Sequence, residues 1–538
     1  MVQQANQRAE LDISFVDDPR VVKEAATEDY STHVVPRSWR SGRLSLSMAW
    51  AALCSAMFWL VVAASVALAV GTSAALVGVG LSLVTYGGVN YVLSRYASRT
   101  GLTVALMSRR LFGYLGAVLA PLIFAATAVY YAVFEGSVVA VAFHQYFGGM
   151  DIRLWYLAVV LYSIPLVFGG VLAWLDKLNG FLLPFYVVGL VAAVVWAGTK
   201  FGFSGHWLHL AATTDSAPAG VPGWVFAYTT YMGVWIMMLY TIDFARFGKE
   251  ADAGFHGVVT FGPVFYLVTF LGNGLAGIFL ASTVPTRGGL SEVSVVYAIV
   301  GLMGLAGLAL IWVSQTRINT ANFYLASTNL DACFSRLFGI KLHRTVWTAV
   351  VGGLVYLIML TDVLSYILQA LRWQGVFVVA WVGIALTHIT LVGDDRDGLP
   401  EFRPGRLRLV APGAVVWLLA SGVGIYLTER GSAVGAVWAS PVTLVLAVVG
   451  YAVAVNLLPS PVLTRGHDPR DEVHDIWEAR IRCHVCDRYY VAVEMDRDPS
   501  ASHAAICSGC ASQSTLFYHA ARAEAVQRTS QPTPLESA

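Results

Sequence analysis

Twelve long apolar segments run through this chain and limit what it can fold into. They lie at approximately 44–70, 74–93, 117–143, 154–173, 181–200, 224–243, 258–281, 300–325, 346–361, 372–392, 410–428 and 437–458. A helix needs roughly 20 mostly apolar residues to cross a bilayer, whereas transmembrane strands alternate in polarity over roughly 10 residues. Because the runs are continuous, and 57% of the residues are hydrophobic against 12% charged, the sequence predicts an all-α integral membrane protein with about twelve transmembrane helices.

The basic residues between these segments predict the topology, since short cytoplasmic loops collect Lys and Arg. Clusters precede the first segment and follow the second, sixth, eighth and tenth. Their members are Arg37, Arg40, Arg43, Arg95, Arg99, Arg109, Arg110, Arg246, Lys249, Arg336, Lys341, Arg344, Arg396, Arg403, Arg406 and Arg408, whereas the alternate loops offer scattered charges such as Arg153, Arg287 and Arg430. We therefore expect a multi-pass protein of the cell (plasma) membrane with both termini in the cytoplasm.

Polar sequence flanks the apolar part at both ends. Residues 1–36 are polar and acidic without an apolar core, so we expect a flexible cytoplasmic tail there and no cleavable signal peptide. The transmembrane domain is predicted at 37–462. A second cytoplasmic tail follows at 463–538, where the composition turns abruptly polar after Pro461.

Four of the six cysteines lie in this C-terminal tail. They form two C-x2-C pairs, Cys483 with Cys486 and Cys507 with Cys510, separated by 20 residues. In this arrangement two tight turns present four thiolates to one tetrahedral zinc. We therefore predict a small zinc ribbon at 482–511, with a structural zinc and no organic cofactor. The alternatives are free thiols in a disordered tail or a disulfide pair, which a reducing cytoplasm disfavours.

Motifs of enzymes are missing from the sequence. The chain contains no H-E-x-x-H, no G-x-S-x-G and no phosphate-binding G-x-x-x-x-G-K-[ST], so we expect no catalytic residues. His206 and His209 sit three apart in an external loop and could ligate a metal, but without a carboxylate nearby we interpret them as loop residues. The remaining cysteines, Cys54 and Cys333, are interpreted as inert.

Three charged residues fall inside predicted spans or at their ends, where an ionised group is costly and usually faces a cavity or another charge. Glu135 lies within the third span, Asp243 closes the sixth and Arg317 lies in the eighth. For Asp243, a structural role at the membrane surface is at least as well supported as a functional one. For Arg317 two interpretations stay open: it faces an internal polar wall, or the eighth helix starts near Ser291 and its arginine reaches the cytoplasmic headgroups.

Helical spacing gives two of these charges polar neighbours. Tyr131 shares a face of the third span with Glu135. In the eighth span Thr316, Asn319 and Thr320 share a face, and Asn322 is close by. The sequence therefore predicts a polar wall in each of these two spans.

Four stretches give the chain a resemblance to a known family. They are TGLTVALMSRRLFGYLG after the second span, LAWLDKLNGFLLPFY entering the fifth, IDFARFGK after the sixth and INTANFYLASTNL in the eighth. In their order and placement they resemble the nucleobase:cation symporter-1 family, the purine-cytosine permease-like transporters, over about residues 36–458. The cysteine pairs lie outside this resemblance.

The resemblance implies a LeuT-like fold, in which the first five spans and the next five are inverted repeats and the substrate lies near the bilayer midplane between spans one, three, six and eight. It also implies the substrate-binding residues. By similarity these are Tyr131, Glu135, Trp235 and either Asn322 or, with a three-residue shift, Asn319. Tyr131 and Trp235 would sandwich a flat ring, each contact contributing about 0.5–1.5 kcal/mol, while the amides and the carboxylate would read its N–H and C=O edge.

Two departures from the family pattern bear on the coupling ion. Sodium-driven members place small or hydroxyl residues in the eighth span a few positions before the asparagine, whereas residues 313–317 read VSQTR here. The first span also lacks the glycine that usually marks its break, since AWAALCSAMFW contains none. We therefore expect Arg317 to replace the coupling cation as a fixed positive charge, with Glu135 as its counter-ion or proton carrier.

The sequence thus predicts a permease in the lipid bilayer that imports a nucleobase or related small heterocycle, with a proton, or alternatively sodium, as coupling ion and no nucleic-acid partner. Two alternatives from other classes stay open. One is a membrane receptor that senses such a ligand and signals through the zinc-ribbon tail. The other is a membrane-embedded enzyme, which the missing motifs disfavour.

Overall fold

The computed structural model describes residues 9–27, 30, 33–116, 118–167, 171–214, 216–285, 293–338, 340, 342–361, 364, 367–392 and 398–529. Within these ranges each of the twelve predicted spans corresponds to a helix or to a pair of helices. In chain order they are Arg43–Ser55 with Phe58–Val70, Thr72–Thr100, Leu119–Phe147, Ile152–Leu166, Val171–Phe201, Gly223–Met232 with Ile236–Ala245, Glu250–Thr283, Leu305–Phe338, Arg344–Met359, Ile367–Leu391, Pro412–Glu429 and Ala433–Leu457. Two further helices, Val104–Gly116 and Ser294–Met303, lie in the connections.

The helices have the composition of membrane spans. In the described part of the chain seven are long and apolar enough to cross a bilayer, and nine are if each bent pair counts as one span. The other three are the short fourth and ninth helices and the eighth, a helix of 34 residues that contains Arg317. Exposed apolar side chains such as Val84, Leu161 and Leu419 cover the outer surface of the bundle, as contact with lipid requires. The prediction of a multi-pass all-α membrane protein is confirmed.

Two of the spans are broken. The first bends by 46° between its two helices and the sixth bends by 41°. The first break lies at Ala56, whose ψ of 130° is extended rather than helical, so the chain breaks this span without the expected glycine. In the LeuT-like fold that the family resemblance implies, the first and sixth spans begin the two five-helix repeats, and helices broken in this way are expected there.

The eighth span is a helix of 34 residues that packs most extensively against the third. It begins at Leu305, after Gly304 turns the chain with a φ of +57°, and it continues from Arg317 to Phe338. Arg317 therefore lies in the interior of the helix, and its side chain is buried, with 7% of the residue exposed. The alternative that this arginine reaches the headgroups from the end of its helix is wrong.

A small domain outside the helical bundle combines described residues from the N-terminal and C-terminal segments. Its strands are β1 (Ile13–Ser14), β2 (Arg480–Arg482), β3 (Tyr489–Val491), β4 (Met495–Asp498) and β5 (Ala504–Cys507). They form an antiparallel sheet β1-β2-β3 and a hairpin β4-β5. Helices Ser508–Gln513 and Thr515–Thr529 follow the last strand.

The N-terminal segment belongs to this domain. Strand β1 pairs with β2 through Ile13 opposite Ile481, and the helix Pro19–Thr27 follows it. The expectation of a flexible tail at 1–36 is therefore wrong for its described residues, because backbone pairing with the C-terminal domain holds them in place.

Buried ion pairs join this domain to the connection between the tenth and eleventh spans. The Arg403 guanidinium donates to Asp468 and to Glu401, each at 2.6 Å, and Arg403 is 1% exposed. Burial opposes ionisation of Glu401, but the adjacent Arg403 guanidinium outweighs it and holds the pKa of that carboxyl well below its usual range. One guanidinium thus satisfies two carboxylates from the connection and the domain.

We expect Arg403→Gln to destabilise the domain by about 3–5 kcal/mol at pH 7, because it leaves two carboxylates without their buried partner. Since the folded-state pKa of Glu401 is depressed, its contribution is present above the unfolded value and is lost as the pH falls below about 4. The difference from the unmutated protein should therefore shrink in acid. Denaturant unfolding across this pH range measures it.

The matched control is Arg482→Gln, because Arg482 is an exposed arginine of the same domain that also contacts carboxylates. It should leave the unfolding midpoint close to that of the unmutated protein. Equal midpoints for the two variants would contradict the assigned role of Arg403.

Candidate functional site

A small cavity lies beside the break in the first span. Its volume is about 50 Å³ and it is lined by Leu53, Ala56, Phe58, Trp59, Tyr131, Glu135, Met237, Tyr240, Ile318 and Asn322. These residues come from spans one, three, six and eight, the four that the family resemblance implied. A water molecule needs roughly 10–15 Å³ by this measure, whereas ligand pockets typically enclose about 300–1,000 Å³. The cavity therefore has room for a few waters, and a ring-sized ligand enters only if its walls move apart.

Three of the predicted site residues meet at this cavity: Tyr131, Glu135 and Asn322. Glu135 is 1% exposed, and its Oε2 has no hydrogen-bond partner among the described residues; the same holds for Nδ2 of Asn322. An unpaired buried polar group costs about 1–3 kcal/mol. A carboxylate acceptor and an amide donor therefore face one space in which a ligand or water can satisfy both.

Four aromatic side chains, Phe58, Trp59, Tyr131 and Tyr240, form part of the wall. The Tyr131 ring meets the Phe58 ring edge to face, with centroids 5.1 Å apart. The Tyr131 hydroxyl accepts a hydrogen bond of 3.4 Å from Nε2 of Gln374 in the tenth span. Phe58 and Trp59 begin the second helix of the broken first span. The break therefore brings Phe58 and Trp59 of the first span to the cavity that Tyr131 also lines.

Two other predicted residues lie away from the cavity wall. Trp235 is buried at the break of the sixth span, immediately before the helix Ile236–Ala245, and it does not line the cavity. Asn319 packs against the third span, where a Cβ added to Gly136 would lie 3.4 Å from its Nδ2. Of the two asparagines that the sequence left open, Asn322 faces the cavity and Asn319 does not.

Polar residues of the eighth span satisfy the backbone that the first break frees. The Ser314 hydroxyl donates to the carbonyl of Ser55 at 2.7 Å, and the Met57 N–H donates to Oε1 of Gln315 at 3.1 Å. Arg317 donates through Nη2 to the Ser55 hydroxyl. Unwound backbone at membrane depth is tolerated where such groups satisfy it, so these contacts explain why a polar cluster lies within the eighth span.

Glu135 and Arg317 are not joined to each other. No hydrogen bond or ion pair of the described residues links the two side chains, although both are buried. The carboxylate lines the cavity, and the guanidinium contacts the break. The predicted counter-ion pair is therefore absent from the contacts of this structure, and each charge has its own surroundings.

Sequence reasoning missed residues of the site that were visible as polar groups within apolar spans. They are Ser55, Asn273, Gln315 and Gln374. Asn273 of the seventh span donates to the carbonyl of Cys54 at 2.7 Å and so supports the same break. A search for amides as well as charges inside spans would have found three of these four.

Asp243 has a structural role. Its Oδ1 accepts from the N–H of Val104 at 2.8 Å, at the first turn of the helix Val104–Gly116. His206 and His209 lie exposed in the turn Gly205–His209. Among the described residues they belong to no group of metal-ligating side chains.

The four tail cysteines converge. One ligand atom from each of Cys483, Cys486, Cys507 and Cys510 lies within 4.8 Å of all the others, an arrangement that could hold a metal ion. The N–H of Cys507 donates to Sγ of Cys483, and the N–H of Cys510 donates to Sγ of Cys507, both at 3.4 Å. All six cysteines are free, so no disulfide competes for these sulfurs. The four cysteines lie at or next to the ends of β2 and β5, an arrangement that is compatible with a zinc ribbon.

Comparison with solved structures shows that this chain has a fold similar to that of known membrane transporters. Neither family models nor curated proteins match the sequence. The solved structures that it resembles include Mhp1, a nucleobase-cation-symport-1 family transporter, in a closed conformation with bromovinylhydantoin bound: the TM-score is 0.60 at 16% identity, over 82% of this chain and 96% of that one. The inward-facing conformation of Mhp1 gives 0.60 at 15% identity, over 79% and 94%.

A third similar structure is the substrate-bound, outward-open state of a Na⁺-coupled sialic acid symporter, with a TM-score of 0.55 at 11% identity, over 82% of this chain and 94% of that one. The fold implied by the family resemblance is therefore confirmed for most of the chain. The similar structures are transporters and not enzymes, and none of them supports the alternative of a ligand-sensing receptor.

We expect Gln315→Leu to lower the thermal unfolding midpoint of the detergent-purified protein. The leucine fills a similar volume but leaves the buried Met57 N–H without its acceptor, at a cost of about 1–3 kcal/mol. Leu305→Met is the control on the same helix, because Leu305 is 62% exposed and loses no hydrogen bond. A midpoint unchanged by Gln315→Leu would show that the break does not depend on the eighth span.

Proposed function

We propose that the protein is a secondary active transporter that imports a nucleobase or a related small heterocycle. The observation that carries the proposal is the meeting of Tyr131, Glu135 and Asn322 at one cavity beside the break in the first span. This cavity lies in a fold shared with an Mhp1 structure that has bromovinylhydantoin bound. The cavity supplies chemistry for a flat polar ring, and the fold supplies a way to carry it across the bilayer.

The wall of the cavity suits a ring with alternating N–H and C=O groups. The Tyr131 ring offers a stacking face worth about 0.5–1.5 kcal/mol. Glu135 accepts from a ring N–H, and the Asn322 amide donates to a ring carbonyl. A substrate with this edge satisfies the two buried polar groups, whereas an analogue without it leaves them unpaired. Unpaired polar groups discriminate between ligands more strongly than differences in apolar contact do.

Opening and closing of the cavity follow from the breaks in two spans. A space of about 50 Å³ excludes the substrate until the broken first and sixth spans move relative to the third and eighth. The bends of 46° and 41° give each broken span two short helices that can move separately. Substrate then enters from one side and leaves on the other as these helices shift.

Arg317 supplies the fixed positive charge in this proposal. Ser55 is engaged twice at the break, its carbonyl by Ser314 and its hydroxyl by Arg317. A sodium ion needs such oxygens as ligands and is repelled by the guanidinium. We infer that the break holds Arg317 in place of a coupling sodium, and that Glu135 carries a proton at the cavity.

Contacts of the domain that combines the N-terminal and C-terminal segments support a proposal for the membrane orientation. Arg109 donates to Ser508 at 2.7 Å, and Arg403 binds Asp468, so basic residues of the span connections lie on the side of this domain. Lys and Arg collect on the cytoplasmic side. We therefore propose that both termini face the cytoplasm, at the cell membrane.

Uptake into proteoliposomes tests the transport proposal. A thermal-shift screen against nucleobases, hydantoins, allantoin and vitamin-like rings first selects a labelled substrate. We expect its uptake to be unchanged when sodium is replaced by potassium or choline, and to be accelerated by an acidic exterior. Ligand binding without any flux would refute the proposal that the protein is a transporter. Steep sodium dependence would refute only the proposal that Arg317 replaces a coupling sodium ion.

Glu135→Gln provides the matched variant for coupling. It keeps the shape of the side chain but cannot carry a proton, so exchange of substrate should continue while acceleration by the pH gradient is lost. Glu478→Gln, on the exposed surface of the cytoplasmic domain, is the control and should behave as the unmutated protein. Retention of the pH effect in Glu135→Gln would assign the proton to another group.

We propose further that the four tail cysteines hold one structural zinc ion. Four sulfurs within 4.8 Å of one another match the preference of zinc for thiolates. The metal would tie the turn after β2 to the end of β5, two regions that hydrogen bonds to sulfur already bring together. With four thiolate ligands the ion would have no open coordination position, so it would stabilise the fold rather than take part in catalysis.

Protein purified without chelator should contain about one zinc per chain. Replacing Cys483 and Cys486 together with serine should abolish zinc binding, because two ligands cannot hold the ion tightly, whereas Cys333→Ser should retain it. Elemental analysis of the three proteins measures this. A metal-free unmutated protein would overturn the zinc assignment without affecting the transport proposal.

A further inference from the structure

A short segment connects the small domain of strands β1–β5 with the first span. It comprises residues 33–41, which lie shortly before the helix Arg43–Ala51, and we refer to it as the strap. Within it Arg37–Trp39 form a single helical turn, and Arg40 is extended. Because so short a segment makes few backbone hydrogen bonds of its own, its position depends on the groups that it contacts outside itself.

Some of these contacts bind the strap to the small domain. The buried carboxylate of Glu494 accepts from the N–H of Val34 at 3.1 Å and lies 3.0 Å from Nδ1 of His33. The indole N–H of Trp39 donates at 2.8 Å to Asp17, which an arginine of strand β2 also binds. The strap therefore keeps its place on the domain for as long as these hydrogen bonds hold.

Other contacts bind the strap to the ends of the second and sixth spans. Arg40 is buried and donates to the carbonyl of Ser98, in the last turn of the second span. The N–H of Ser41 donates at 2.7 Å to the carbonyl of Phe247, just beyond the end of the sixth span. The strap thus ties the ends of the first, second and sixth spans to the small domain.

A separate surface of the small domain holds the helix that leads into the third span. Ser508 accepts from Arg109 at 2.7 Å, and the backbone carbonyl of Ser512 accepts from the Tyr114 hydroxyl at 3.0 Å. The rings of Tyr114 and Tyr518 stack with their centroids 4.5 Å apart. This helix ends shortly before the third span begins. The domain is therefore bound to the start of the third span as well as to the ends of the first, second and sixth.

Movement of the first and sixth spans away from the third opens a passage from the candidate cavity toward the small domain. The domain opposes this movement because it is bound to both groups of spans. Given the transport function proposed for the chain, we propose that the small domain is a clamp that holds this passage closed. The strap is the part that yields, because it leads directly into the first span and has to move when that span tilts.

Labelling of a cysteine in the cavity tests the clamp without a substrate. Met237 lines the cavity and belongs to the helix Ile236–Ala245 of the sixth span, so Met237→Cys is introduced into the full chain as the parent. Membrane vesicles that expose the small domain are treated with an impermeant maleimide, and peptide mass spectrometry measures the labelling rate at this position. Because no substrate enters the experiment, a negative result would overturn the clamp and leave the transport proposal standing.

Two variants of the parent loosen the strap. Glu494→Ala removes the buried acceptor of the Val34 N–H, and we expect it to raise the labelling rate about tenfold. Trp39→Phe keeps a large aromatic ring and loses only the hydrogen bond to Asp17, so we expect an increase of about threefold. The milder variant keeps the test decisive if Glu494→Ala prevents the domain from folding.

The matched controls change the same residue types where no strap contact is lost. They are Glu478→Ala on the exposed surface of the small domain and Trp438→Phe in the twelfth span, where the tryptophan is 44% exposed. Both should label at the rate of the parent. Labelling of Trp39→Phe that is no faster than that of Trp438→Phe would overturn the clamp.

Discussion

Backbone groups inside a bilayer have to be satisfied by the protein itself, and this requirement organises the centre of the molecule. The break at Ala56 frees backbone groups that a continuous helix would pair. Ser314 and Gln315 of the eighth span pair with them, and Arg317 holds the adjacent serine hydroxyl. The same eighth span packs along the third and lines the cavity. The arginine that is unusual for a membrane span is thus part of the support for a broken helix.

The fold could be predicted from the sequence to a large extent, because apolar length and continuity are read directly from the residues. All predicted spans have helical counterparts in the described chain, and the cysteine spacing anticipated the cluster. The break at Ala56 could not be predicted, since no glycine or proline marks it. It exists because distant side chains of the eighth span compensate the lost hydrogen bonds, and such a partner is visible only in three dimensions.

The candidate site could also be predicted only in part from the sequence. Tyr131 and Glu135 share a helical face, so spacing alone brings them to one surface. To choose between Asn319 and Asn322 one has to know how the eighth helix is rotated against the third. Sequence spacing does not give this rotation, and the two asparagines are about one helical turn apart. Trp235 was placed by similarity and lies at the sixth break rather than at the cavity. Residues on one helix were predictable, whereas their meeting with another helix was a property of packing.

The pairing of β1 with β2 constrains how the chain is made. Partners such as Ile13 and Ile481 are more than 460 residues apart, so at about 5–20 residues per second the first strand waits roughly 25 to 90 s for the second. The sheet can close only if both strands emerge on the same side of the bilayer, which requires an even number of crossings. A chain that fails to insert one span leaves the strands separated by the membrane. This sheet can therefore close only when an even number of spans has been inserted, and only once the last span is in place.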